Sequence, residues 1–375
     1  MEVVEKYINE LLDKSTPQRP MWNIEKLNTG LTSEWNYIDG VMIKAVLEMY
    51  AITKKKKYLE FADEFIDYRV HEDGRVDGYV AENYNIDDVN AGKTLFELYD
   101  LTEKVKYRKA IELFYHQLLN QPRTIEGNFW HKLIYPSQVW LDGLYMGQPF
   151  YMEYETRFNQ KKNYSDIFHQ FFRVYEILRD KETGLYYHAY DSSRLMFWCD
   201  KESGLSSNFW LRALGWYTMA LLDTLDVCNP TGYESEYEKL KQIFCELIES
   251  MLKYQDKSGM WYQVVNMGGQ DRNYLETSGS SIMAYAIFKG VRLGFLPESY
   301  RKYAKKAMEG ICAQYLDTQE GKMSLGGICL VAGLGGKQMR DGSYDYYMSE
   351  PIVKDDAKGV GPFLLAYTEM LRLKE

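Results

Sequence analysis

No run of about 18 apolar residues occurs anywhere in the 375-residue chain, so the sequence offers no candidate membrane-spanning helix. The first stretch, MEVVEKYINELLDK, has the pattern of a charged amphipathic helix and lacks the apolar core of a signal peptide, so a cytoplasmic location is expected. An excess of positive charge is missing too. The formal net charge is −9, which argues against a nucleic acid partner, because phosphate binding needs a basic face. Cysteine is scarce: Cys199, Cys228, Cys245, Cys312 and Cys329 are scattered, odd in number and form no CxxC pair. They read as reduced, mostly buried thiols and not as a disulfide framework. Histidine is equally sparse, with five in all, and neither Cys nor His falls at metal-ligand spacing. No metal and no cofactor are therefore expected. No linker or low-complexity stretch divides the chain, and residues 1–375 are read as a single domain.

Aromatic residues, by contrast, are abundant: 33 Tyr, 8 Trp and 16 Phe make up 15% of the sequence. Part of that load fills a core. The excess suits a cleft that stacks on flat ligand faces, of which sugar rings are the usual kind, and a small oligosaccharide is the expected partner.

The order along the chain is repetitive. Residues 1–14 read as a first helix, an apolar run Gly40–Ile52 follows, and Tyr58, Phe61, Ala62, Phe65 and Ile66 form a helical stripe. The stretch Glu48–Thr53 through Tyr58 then recurs as Glu97–Thr102 through Tyr107, each residue displaced by the same 49 positions. Two helices joined by a short Thr/Lys turn make a helical hairpin. A turn with an acidic or polar residue before a glycine punctuates the hairpins at Gly74, Gly127, Gly184, Gly259 and Gly321. These marks fit about six hairpins. Closure into an all-α (α/α)6 barrel is preferred to an open solenoid, because neither end carries an obviously polar capping repeat. Strand signals are weak, confined to short pieces such as WYQVV that could pair locally.

In a closed toroid the starts of the inner helices share one mouth, and the candidate functional residues fall at such starts. They are Trp35 and Tyr37, Asp87 and Asp88, His131 and Lys132, Trp140 and Asp142, His188 with Asp191, Arg212 with Trp216, and Glu276 to Ser281. Asp142 sits in VWLDGLYM, an apolar setting that disfavours a charged carboxylate and so suits a proton donor. Each residue also has a plainer reading: helix cap for Asp87 or Asp88, loop histidine for His188, structural ion pair for Arg212, close helix packing for the SGSS run.

Four stretches together resemble a known family. WHKLIYPSQVWLDGLYMGQPF, HAYD with the downstream FWLRALGWYTMAL, NYLETSGSSIMAYAIFKGVRLGFL and YDYYMSEPIVKDDAKGVGPFLLAYTEM are similar to the unsaturated rhamnogalacturonyl hydrolases of glycoside hydrolase family 105, from about Trp35 to the C-terminus. The resemblance implies an (α/α)6 barrel that removes a 4,5-unsaturated uronic acid from the non-reducing end of lyase products, with rhamnogalacturonan fragments of pectin as the foremost source. Residue by residue it makes Asp142 the general acid and base and Asp87 the second important carboxylate. It makes Trp35, Tyr37, His131, Lys132, Trp140, His188, Arg212 and Trp216 substrate contacts, with His188, Lys132 or Arg212 holding the uronate carboxylate and Trp140 and Trp216 supplying stacking faces. Asn36 departs from the pattern, since some members carry histidine there, and this bears on substrate preference.

The implied chemistry is hydration of the C4=C5 vinyl ether, so one carboxylate can serve twice and the usual paired glycosidase geometry is not required. Competing readings are an unsaturated β-glucuronyl hydrolase acting on ulvan- or arabinogalactan-type products, and a non-enzymatic helical-repeat protein that binds carbohydrate or another partner. A sugar 2-epimerase would need a histidine pair that the sequence does not offer. A monomer or weak homo-oligomer is expected.

Overall fold

In the computed structural model of the chain, residues 2–318 and 323–373 are described. The helices in chain order are α1 (Glu2–Asp13), α2 (Ile24–Thr29), α3 (Tyr37–Thr53), α4 (Lys56–Asp67), α5 (Asp87–Ala91), α6 (Lys93–Thr102), α7 (Val105–Asn120) and α8 (Leu141–Phe158). They continue with α9 (Tyr164–Leu178), α10 (Leu211–Val227), α11 (Glu234–Leu252), α12 (Thr277–Arg292), α13 (Arg301–Tyr315), α14 (Tyr344–Ser349) and α15 (Ala357–Arg372).

Hydrophobic patterning sorts these helices into two layers. Helices α8, α10 and α12 are buried almost all round, as the inner wall of a barrel must be. Helix α9 instead buries one stripe, Tyr164, Ile167, Phe168, Phe171, Val174 and Leu178, and leaves the opposite face to water. The inner helices touch in the order α3, α5, α8, α10, α12, α15 and back to α3, which closes the ring. Helices α4, α9, α11 and α13 each back the inner helix before them, and α7 backs α6, which continues the inner α5 across Gly92. The sixth outer position falls to α1, whose Asn9 accepts from Lys57 and Tyr58 of α4 and whose Glu5 lies near Tyr367 of α15. The fold is the expected (α/α)6 barrel, and the ring closes where α15 meets α3.

The repeats have physical causes. Lys54 and Glu103, equivalent in the 49-residue repeat, both end an inner helix in the left-handed conformation, with φ of 55° and 57°. The recurring glycines start the return to the next inner helix. Gly74 and Gly259 have φ of 91° and 93°, and each lies against the following outer helix, so an added Cβ would sit 2.5 Å from Lys109 Cβ or 2.4 Å from Lys306 O. The Gly321 turn lies outside the described residues. The WYQVV piece makes only isolated bridges, Trp210 with Val264 and Tyr262 with Leu275. Two short strands matter for function: β1 (Gln138–Trp140) pairs antiparallel with β2 (Ala189–Asp191), tying the loop before α8 to the loop after α9.

Buried thiols were expected more widely than they occur. Cys199 and Cys329 are buried, whereas Cys245 and Cys312 on the outer helices α11 and α13, and Cys228 just past the inner helix α10, are half-buried. No helix among the described residues is long and apolar enough to cross a membrane.

Candidate active site

The starts of the inner helices gather at one mouth, as the toroid requires. Tyr37 and Asp87 are the first residues of α3 and α5, and Asp142 and Arg212 the second residues of α8 and α10. Backbone hydrogen bonds bring in the loops: Ile86 N–H donates to the His131 carbonyl, and Leu141 N–H to the His188 carbonyl. Gly143, next to Asp142, leaves the room that the His131 ring fills, since a Cβ there would come within 2.9 Å of Nδ1.

Two carboxylates result, each facing an imidazole. Asp87 Oδ1 lies 3.3 Å from His131 Nε2, and Lys132 Nζ reaches Asp87 Oδ2 at 2.6 Å. Asp142 Oδ2 lies 3.3 Å from His188 Nε2 and has no Lys or Arg partner among the described residues. Burial pushes the Asp87 carboxyl up, but Lys132 and His131 outweigh it and hold the group below the usual carboxylate range. Burial pulls His131 down to about 4 although Asp87 works against it, so the ring is neutral near pH 7. Asp88 is pushed up to about 7, by burial first and the Asp87 charge second.

Four buried atoms in this mouth, Asp87 Oδ1, His131 Nδ1, Asp142 Oδ2 and His188 Nε2, have no aligned hydrogen-bond partner among the described residues. Native interiors satisfy nearly all such atoms, so a cluster of them calls for an explanation, and sites built for a ligand often show contacts that tighten only in the complex.

The other expected site residues divide. Tyr37 is half-buried at the mouth, its hydroxyl held protonated by burial against the pull of Arg212. Lys132, 23% exposed, is the cation of the group that remains open to a ligand. Trp35 is buried, donating its Nε1–H to the Asp88 carbonyl and stacking on Phe114, so it props the Asp87 turn. Trp140 is buried and stacks with both His131 and Tyr135, at centroid distances of 4.8 and 5.1 Å, which orients the imidazole.

Five further candidates, Trp216, Arg212, His188, Glu276 and Asp191, are buried. Trp216 is only 1% exposed and stacks on Tyr145 inside the barrel, so it is floor and not a free stacking face. Arg212, also 1% exposed, donates to the Cys329 carbonyl and Ser278 Oγ, and pins a loop where a uronate clamp was expected. His188 is wholly buried and addresses Asp142, not solvent. Glu276 caps α12 through the Ser278 and Gly279 N–H groups, and Asp191 accepts from Ser193 and Met196 within its own turn. Asn36, the departure from the family pattern, is the N-cap of α3.

The sequence reading missed Tyr347. Its hydroxyl stands 2.8 Å from His188 Nδ1, brought there by α14, far downstream in the chain. The residue lies within YDYYMSEP, one of the four resembling stretches, yet a tyrosine among several carries no charge or spacing signal of its own.

A cavity of about 210 Å³ lies at the opposite end of the barrel, lined by Glu48, Glu97, Glu153, Asp223, Lys289 and Lys93 among others. It holds none of the candidate residues. Its Lys93, pulled down to about 7 by burial, points at the Tyr145 carbonyl that Pro149, lacking an N–H, leaves free.

Comparison with known proteins matches residues 8–374 to the model of Glycosyl Hydrolase Family 88. Protein Atu3128 of Agrobacterium fabrum is 39% identical over 235 residues, covering 61% of this chain and 99% of its own. The unsaturated rhamnogalacturonyl hydrolase YesR of Bacillus subtilis is 26% identical over 283 residues, covering 74% and 75%. Among solved structures, a family 105 glycoside hydrolase of C. acetobutylicum superimposes with a TM-score of 0.91 at 44% identity over 99% of both chains. The unsaturated glucuronyl hydrolase of Bacillus sp. GL1 shares the fold at 16% identity, with a TM-score of 0.63 over 92% and 88%.

Proposed function

This chain belongs to Glycosyl Hydrolase Family 88, and from that premise we propose that it hydrolyses unsaturated rhamnogalacturonan disaccharide, with Asp142 as the group that moves the proton. The observation that carries the assignment is the asymmetry of the two carboxylates: Lys132 neutralises Asp87, whereas Asp142, with no Lys or Arg partner among the described residues, faces the His188 imidazole. A carboxyl without a cation can take up and release a proton. One locked in an ion pair serves better as a fixed charge.

The reaction follows from the substrate's vinyl ether. Asp142 gives its proton to C4, and the ring oxygen shares the positive charge that forms at C5. The Asp142 carboxylate then takes a proton from a water that adds to C5. The resulting hemiketal opens at the C5–O5 bond, leaving a ketone at C5. The hemiacetal so created at C1 expels the second sugar and becomes an aldehyde. Asp87, held charged, receives sugar hydroxyls and favours the developing cation. Lys132 is the open cation for the uronate carboxylate, and Tyr37 offers a hydroxyl donor at the rim. Rhamnose as the second sugar is supported by the YesR relative's activity.

The test is an ultraviolet time course of the double bond on unsaturated rhamnogalacturonan disaccharide and, in parallel, on the unsaturated glucuronyl-rhamnose disaccharide of ulvan. Faster loss of absorbance on the first, with free rhamnose released, is the expected result. Faster loss on the second would replace the glycan, and flat traces on both would overturn the proposal.

A further inference from the structure

The catalytic reading of Asp142 leaves its neighbour without an assigned task, and the buried contacts behind His188 supply one. His188 is wholly enclosed, its ring packed edge-on to Trp140 and tilted against Trp210 at centroid distances of 5.4 and 4.8 Å. Tyr347 is equally enclosed and stacks on the same Trp210. Its segment is fastened to the barrel by Ser207 and Asn208, whose side chains donate to the Gly342 carbonyl, and by Ser343, which caps α14. The Tyr347 hydroxyl therefore has a fixed place, 2.8 Å from His188 Nδ1.

A neutral imidazole carries one N–H donor and one acceptor nitrogen, and the partner of one nitrogen decides the role of the other. We propose that Tyr347 is a positioning residue: its O–H donates to Nδ1 and so holds His188 in the tautomer whose Nε2–H is on the side of Asp142 Oδ2, ready to donate once substrate aligns the pair. The opposite arrangement would set a nitrogen lone pair against a carboxylate oxygen 3.3 Å away. Burial keeps the Tyr347 phenol protonated, and the nearby Asp142 charge adds to that, so the donor persists.

The consequence concerns which oxygen works. Asp142 Oδ2 is the buried oxygen, while the side chain as a whole is 14% exposed. Once substrate aligns the pair Oδ2 becomes the acceptor, and the proton that Asp142 exchanges is left to Oδ1, on the accessible side. Tyr347 thus sets the direction of proton transfer without touching substrate.

The inference rests on the proposed role of Asp142, and two measurements separate their failures. The first is ¹⁵N NMR of the wild-type histidines, which reads the His188 tautomer without any substrate. The Nε2–H form is expected, and an Nδ1–H form overturns the proposal. The second is Tyr347→Phe, which keeps the ring stack and removes only the hydroxyl. The expected result is a kcat lower by about tenfold or more with KM within about twofold. Loss of the single Nε2–H form in the variant's spectrum accompanies it. A variant with unchanged kcat and tautomer overturns the proposal even if it melts at lower temperature, since a purely structural tyrosine would behave that way. Should the variant not fold, the wild-type tautomer decides. If wild-type protein leaves unsaturated uronides untouched, the function is wrong, whatever the tautomer.

Discussion

Lys132 Nζ stands 2.6 Å from Asp87 Oδ2, whereas Asp142 has no ammonium or guanidinium partner among the described residues. The division of labour proposed here follows from that difference.

Removing the counter-charge should expose it. Asp87 is held below its ordinary range, so its charged form contributes stability above the unfolded pKa, which is lost as pH falls through the folded value. In Lys132→Met the carboxyl keeps its burial but loses the main opposing charge. Activity should then fail at a higher pH on the acid side, and stability at neutral pH should drop by about 1–3 kcal/mol. Rate profiles against pH and urea melts read both quantities, and an unmoved acid limb would contradict the role given to Asp87.

His131 acts in the same sense. Its folded pKa of about 4 lies below the ordinary histidine value, so the unfolded chain binds the proton first as pH falls. Stability is thereby lost between about pH 6.5 and 4, by on the order of 2 kcal/mol at pH 4.5. Asp39 and Asp88, raised to about 6 and about 7 mainly by burial, oppose this, because the folded state binds their protons more tightly. The comparison that isolates His131 is wild type against His131→Phe, which keeps the stack on Trp140. The variant should lose about 2 kcal/mol less between pH 7 and pH 4.5; equal losses would mean that His131 titrates normally.

Trp216 separates core from site. Fully enclosed and stacked on Tyr145 at 5.0 Å, it should contribute to stability first. Trp216→Ala is expected to lower unfolding free energy by about 3–5 kcal/mol. Trp216→Phe, which refills most of the space, should leave KM within about twofold of wild type. A large rise in KM with unchanged melting would return Trp216 to the substrate.

The barrel was legible in the sequence because its repeats are backbone events: the helix-ending turns at Lys54 and Glu103 and the glycines at Gly74 and Gly259 recur for steric reasons. Asp87, Lys132 and Asp142 were legible as charged residues in apolar or helix-starting positions, and the structure brings them to one mouth. Exposure was not legible. Trp216, Arg212 and His188 sit in stretches that read as ligand contacts, but which way a side chain turns depends on neighbours far along the chain, such as Tyr145, Cys329 and Tyr347. Glu276 and Asn36 likewise became caps, because an unpaired helix N-terminus claims the nearest acceptor.

The most direct test of the account is Asp142→Asn on the unsaturated disaccharide that wild-type protein consumes, followed by the ultraviolet absorbance of the double bond. Asparagine fills the same space and cannot pass a proton to C4. Turnover should fall by about 10³-fold or more while circular dichroism and melting stay close to wild type. A well-folded Asp142→Asn protein that removes the double bond at near wild-type rate would contradict the assignment of Asp142 and the hydration mechanism built on it.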